Sequence, residues 1–188
     1  MPNRLRPLEP PFPADVQEVL ASYPQVDGQL LALFRTFANS LRFLKKGVPN
    51  LLDRGSPLPL QHRELVILRT TARNDCEYEW GVHAAVFPQA AKLGEGQVRA
   101  TRSAGPDAAC WDEEQALLIR GVDELCAEGT LSDATLAGFQ ERWTVEQQLE
   151  ILALCGSYHT ISFVANVARL PGEPLAATFP AEASVGRG

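Results

Sequence analysis

The sequence predicts an all-α protein on three observations. Apolar residues recur at intervals of three and four over most of the chain, several of these stretches open on Ser, Thr, Asp or Asn with Glu or Gln three residues later, and no alternating run of β-branched residues is bounded by hairpin turns. With 188 residues and 45% hydrophobic content, the chain can bury one substantial core.

Five of the fourteen prolines fall in residues 1–13, and the stretch from Pro171 onward is rich in Pro, Ala, Gly and Ser, so both ends read as extended arms. Between them, Leu30, Leu33, Phe34, Phe37, Leu41 and Leu44 place an apolar stripe on a helix over 29–46, stopped by Lys45, Lys46, Gly47 and Pro49. A second helix spans about 59–73, with Leu65, Ile67, Leu68 and Ala72 inward and Arg63, Glu64, Arg69 and Arg73 on polar faces. Asn74 or Asp75 can cap the next helix; Asn74 followed by Glu77 resembles a capping box, placing Cys76 in the first turn of a helix that reaches about Lys92 before Gly94 and Gly96 break it. A short helix over 95–103 follows. Asp112 with Gln115 opens another to Glu128, stopped by Gly129, and Ser132 caps one to Trp143. Thr144 with Gln147 opens the last helix, which runs to about Leu170.

That last helix carries two apolar stripes. One is Leu149, Leu152, Gly156, His159, Phe163, Asn166 and Leu170, and the other is Ile151, Leu154, Tyr158, Ile161 and Ala165. A helix apolar around most of its circumference must be enclosed by other helices or by another subunit, which predicts a homo-oligomer. Its polar Ser157, His159, Thr160 and Asn166 argue against a lipid-facing span.

The net charge of -6 is spread along the chain with no basic run, which excludes nucleic acid and an anionic membrane surface as expected partners. Cys76, Cys110, Cys126 and Cys155 show neither zinc-ribbon pairing nor a disulfide framework. The proline-rich start is no apolar signal segment, so a cytoplasmic setting with reduced thiols is the expectation. Cys110, Cys126 and Cys155 are expected as small buried hydrophobes.

Chemistry concentrates in Cys76-Glu77-Tyr78-Glu79-Trp80-Gly81-Val82-His83. Residues three, four and seven apart share a helix face, so Cys76, Glu79 and His83 project together as thiol, carboxylate and imidazole. Glu79 could bond one ring nitrogen of His83, fix its tautomer and prepare it for acid-base work. A Glu and His pair one turn apart is equally common on a solvated helix face. Around this segment, Trp80 reads as packing and His159 as a satisfied core histidine. Arg69 and Arg73 read as solvated charge, with a substrate carboxylate as the sharper option, and His62 has no evident partner. Glu64 could pair with Arg69. Glu64, Glu79, His83 and His159 could also be arranged as a metal site.

Glu64, eleven residues, Cys76, Glu79 and His83 together resemble the E-x11-C-x-x-C-x-x-x-H pattern of alkyl hydroperoxidase D, within the carboxymuconolactone decarboxylase and AhpD-like family. Arg63-Glu64-Leu65-Val66-Ile67-Leu68 before the motif supports the resemblance, which extends more weakly over 28–171. It implies an AhpD-like helical bundle over 28–171, flanked by a proline-rich arm over 1–27 and a tail over 172–188. By position, Cys76 matches a peroxide-side or resolving thiol, His83 the relay histidine and Glu64 the acid that serves it.

One departure matters. Glu79 occupies the second cysteine position, so no disulfide can form within the motif. The E-x-x-x-H spacing of the decarboxylase branch fits better and needs no cysteine pair. The resemblance thus implies metal-independent chemistry without a cofactor, on a small carboxylated or lactone-like substrate, with His83, Glu79, Glu64 and Cys76 as the site. Peroxide handling through Cys76 and a noncatalytic small-molecule binding module are the alternatives.

Overall fold

The computed structural model describes residues 5–181, so the outer ends of both predicted arms, 1–4 and 182–188, lie outside the described residues. Helix α4 (Leu60–Arg73) is the axis of the bundle. Its residues from Glu64 to Ala72 are all buried, and it packs against α5 (Glu77–Val86), α7 (Glu95–Ser103), α8 (Glu113–Glu128) and α10 (Val145–Ala168). The polar face expected on α4 is therefore only partly present: Glu64 and Arg69 point into the protein. Arg69 is not a solvated charge. Its guanidinium bonds both oxygens of Asp123 at 2.6 and 2.7 Å and the carbonyls of Thr101 and Ala104 at 2.8 Å, which satisfies a buried cation and ties α4 to α8.

The predicted caps of the C-terminal half are present. Asp112, Ser132 and Thr144 each accept a bond from the backbone three residues on, opening α8, α9 (Asp133–Arg142) and α10, and Gly129 ends α8 at φ 71°. Other expectations fail locally, each for a physical reason. The 29–46 helix is divided into α2 (Ala32–Phe37) and α3 (Leu41–Lys46), because Ser40 caps a new start by accepting from Phe43 N–H. Ahead of it, Asp27 and Gly28 take positive φ and close a small hairpin, β1 (Gln25–Val26) on β2 (Gln29–Leu30). An Asp-Gly pair suits that turn.

The 74–92 helix also departs from expectation. Asn74 closes α4, its side chain donating back to the Thr70 carbonyl, so the Asn74–Glu77 capping box does not form. Asp75 takes φ 52° and Cys76 becomes the residue preceding α5. Pro88, which cannot donate to the helix ladder, begins a separate turn, α6 (Pro88–Ala91).

Both arms do more than extend. Residues Ala14–Leu20 form helix α1, whose Val16 and Leu20 are buried in the core. The C-terminal segment straps α5. Ala177 N–H donates to the Gly81 carbonyl, and a Cβ at Gly81 would stand 2.1 Å from the Ala177 oxygen, so only glycine admits this approach. Phe179 meets Trp80 at 5.2 Å, Glu77 accepts from Phe179 N–H, and Glu173 accepts from Ala32 N–H and the Tyr78 hydroxyl.

The two stripes of α10 separate cleanly. Ile151, Leu154, Tyr158, Ile161 and Ala165 are buried, whereas Leu149 (62% exposed), Leu152 (43%) and Phe163 (59%) face outward with Val145 and Val167 (both 72%). By length and composition α10 could cross a membrane, but its inner stripe is committed to the bundle.

Candidate active site

His83 stands where α4, α5 and α10 meet. It projects from the second turn of α5, Glu64 reaches it from α4, and Tyr158 from α10. The Nδ1 atom lies 2.7 Å from Glu64 Oε2, while Nε2 lies 3.0 Å from the Tyr158 hydroxyl and 3.5 Å from Glu79 Oε1. Phe87 stacks on the ring at 4.9 Å, and Tyr158 meets it edge-on at 5.3 Å. His83, Glu64, Glu79 and Tyr158 are all buried.

One oxygen of each carboxylate, Glu64 Oε1 and Glu79 Oε2, has no hydrogen-bond partner among the described residues. Burial by itself lowers the His83 pKa, but the charge of Glu64 and its hydrogen bond, with Glu79 adding to both effects, outweigh it and raise the value to about 9. At neutral pH the ring is therefore an imidazolium, donating Nδ1–H to Glu64 and Nε2–H toward Tyr158 and Glu79. Burial, reinforced by the charges of Glu79 and Glu64, raises the Tyr158 pKa well above its ordinary value and keeps the phenol protonated.

The assignment of partners differs from the sequence expectation. Glu64, not Glu79, makes the short bond to His83 and orients the ring. Glu79 sits on the opposite nitrogen and, with Tyr158 and Ser157, lines one wall of a cavity of about 420 Å³. The rest of the wall is largely apolar, from α1, the loop leading into the hairpin, α2, α3 and the loop after it, including Val19, Leu33, Phe34, Phe37, Leu44 and Leu51. That volume lies within the usual range of small-molecule sites. His83 does not line the cavity, so its proton reaches the chamber only through Glu79 or Tyr158.

Cys76 is fully buried and does not line the cavity either. Burial pushes its thiol pKa up and the charges of Glu79 and Asp75 add to this, against hydrogen bonding from the Glu79 backbone and Ser162. All four cysteines are free. Cys155 is buried with its pKa pushed up to about 12, whereas Cys110 is exposed and Cys126 half-buried, so the expectation of three buried thiols holds for one.

The remaining candidates lie elsewhere. His159 is on the outer stripe of α10, stacked on Phe163 at 5.7 Å and only half-buried, so it is not the core histidine expected. It cannot join Glu64, Glu79 and His83, and among the described residues no group of three or more His, Cys, Asp or Glu side chains is arranged to hold a metal ion. Trp80 donates its indole N–H to Thr101 and packs. Arg73 lies 3.5 Å from Asp123 at the surface. His62 is buried edge-on to Trp143, with Glu114 at 4.0 Å.

Fold and site together define a mostly helical protein with a buried carboxylate–imidazole–carboxylate group. No family model and no curated protein matches the chain. Solved structures do share its fold. An uncharacterized peroxidase-related protein from Silicibacter sp. TM1040 is 14% identical, with 95% of this chain and 98% of that one covered at a TM-score of 0.70. An AhpD-core, uncharacterized peroxidase-related protein from Ralstonia eutropha JMP134 is 18% identical, with 92% and 95% covered at 0.70. A protein of unknown function from Agrobacterium tumefaciens is 19% identical, with 64% and 82% covered at 0.58.

Proposed function

We propose that the chain is a metal-independent acid-base enzyme resembling carboxymuconolactone decarboxylase, acting on a small carboxylated or lactone-like substrate. The observation that carries this reading is the placement of His83 between Glu64 on Nδ1 and the cavity-lining Glu79 and Tyr158 on Nε2. Such a group stores one mobile proton beside a largely apolar chamber. Glu64 positions the imidazolium, His83 supplies or receives the proton, and Glu79 presents it to substrate. Loss of carbon dioxide leaves an enolate that must be protonated at carbon, which is the task this relay suits.

Peroxide handling is the second reading, favoured by the names of the structural neighbours. Against it stands a thiol that is fully buried and harder to ionise than an ordinary one. Carbon dioxide release from a panel of small carboxylated lactones and β-keto acids tests the choice. Turnover should fall about 10²–10⁴-fold in Glu79→Gln and in His83→Asn, and stay within about threefold in Cys76→Ser. Hydroperoxide reduction that Cys76→Ser abolishes would give the site to thiol chemistry.

We also propose that the chain self-associates through the outer stripe of α10, in a cytoplasmic setting that keeps its thiols reduced. The exposed Leu149, Leu152, Phe163 and Val167 form a patch of the kind that another subunit covers. Light scattering should show an oligomer, and Leu149→Glu with Phe163→Glu should shift it to monomer with little change in helix content. A monomeric wild-type protein would refute this.

A further inference from the structure

We propose that the Tyr158 hydroxyl is the oxyanion donor of this site and that the cavity takes an enolisable carbonyl compound with an apolar body. The inference deepens the acid-base reading and rests on it. Three observations converge. His83 is the one hydrogen-bond partner of the Tyr158 hydroxyl among the described residues, and the imidazolium uses its Nε2–H to donate there, which leaves the phenolic O–H free to donate. Glu79 Oε2 is buried with no partner among the described residues, and Glu79 lines the same cavity as Tyr158. Much of the remaining lining, including Val19, Leu33, Phe34 and Leu44, offers hydrocarbon.

Tyr158 and Glu79 thus bring a donor and a carboxylate acceptor to the same stretch of lining, beside Ser157. A carbonyl beside an acidic C–H answers both: its oxygen accepts from Tyr158, and its α-hydrogen meets Glu79. In the step this permits, the α C–H bond breaks and the proton goes to a Glu79 oxygen. The electron pair of that bond forms the enolate C=C, and the carbonyl oxygen takes the negative charge against the Tyr158 O–H. Reversal returns a proton to carbon, so no oxidant or reductant is required. Tyr158 keeps its proton throughout, and the imidazolium behind it strengthens the bond as charge develops on the substrate oxygen. An enolate formed by loss of carbon dioxide would use the same donor.

The test is α-hydrogen exchange of 2-octanone in heavy water, followed by NMR, with acetone as the short-chain control. Wild-type protein should exchange 2-octanone above the buffer rate, with an efficiency gained over acetone of about threefold or more per methylene. Tyr158→Phe should lose about 10²–10³-fold in kcat with little change in KM, because the hydroxyl acts on the developing charge and the ring still fills its place. Exchange lost in His83→Asn but kept in Tyr158→Phe overturns the donor assignment and leaves the relay standing. Exchange that survives both substitutions overturns the relay as well. Wild-type protein that gives no exchange, or treats acetone and 2-octanone alike, overturns the ligand class.

Discussion

Replacing His83 by alanine should destabilise the fold by about 3–5 kcal/mol, the largest single effect expected outside the core hydrocarbons. The cause is not the lost ring volume alone. Glu64 and Glu79 are 1% and 6% exposed, and each already has one oxygen without a hydrogen-bond partner among the described residues. The imidazolium is the one cation hydrogen-bonded to Glu64 and within 4.0 Å of Glu79 among the described residues. Without it, two buried carboxyl groups lose their counter-charge, and neither can be left ionised cheaply in a low-dielectric interior.

Urea unfolding followed by circular dichroism measures the loss. The mechanism makes a second, sharper statement about the double variant His83→Gln with Glu64→Gln. It replaces ion pair by amide pair and should recover at least half of the deficit, since replacing both buried charges is far less costly than orphaning one. An alanine variant that loses under about 1 kcal/mol, or a double variant no better than the single, would show that His83 is not charged in the folded protein.

How far the sequence reveals this arrangement depends on which forces are local. The caps of α8, α9 and α10 are legible because Asp112, Ser132 and Thr144 act on backbone three residues away. The convergence of Glu79 and His83 is legible for the same reason, as one turn of helix separates them. Glu64 reaching His83 is legible only through resemblance, because it depends on how α4 and α5 pack. Tyr158 lies 75 residues from His83 in the chain, and its periodicity marks it as core without marking its hydroxyl as functional.

The same limit explains the misreadings. Asn74 has a capping-box neighbour in Glu77, yet Glu77 is taken by the backbone of Phe179 and Asn74 bonds back to Thr70, contacts in which the long-range one is invisible to spacing. Arg69 reads as a solvated cation until Asp123, 54 residues on, is placed beside it. The arms mislead in a third way. Proline density in residues 1–13 says nothing of the apolar Val16 and Leu20 just beyond, which turn α1 into part of the core and bring Val19 to the cavity wall.

The second large effect is a loss of stability at alkaline pH. His83 has a folded-state pKa of about 9 against an ordinary value of 6.5. A group whose pKa is raised on folding contributes fully below its unfolded value and loses that contribution as pH rises through the folded one, because the folded state binds the extra proton only in that window. Stability from His83 should therefore be complete below about pH 6.5 and gone above about pH 9, with the steepest fall between. The interval corresponds to about 3 kcal/mol. Unfolding free energies from urea titrations at pH 6.5 and pH 9.5 should differ by that amount in the wild type, and by much less in the His83→Gln, Glu64→Gln double variant, which keeps every other titrating group except Glu64. NMR offers a direct reading, since the chain has three histidines and the His62→Gln and His159→Gln spectra identify the His83 ring signal. A His83 midpoint at or below 6.5 would remove the imidazolium from the site, and with it the donor that leaves the Tyr158 hydroxyl free to face the cavity.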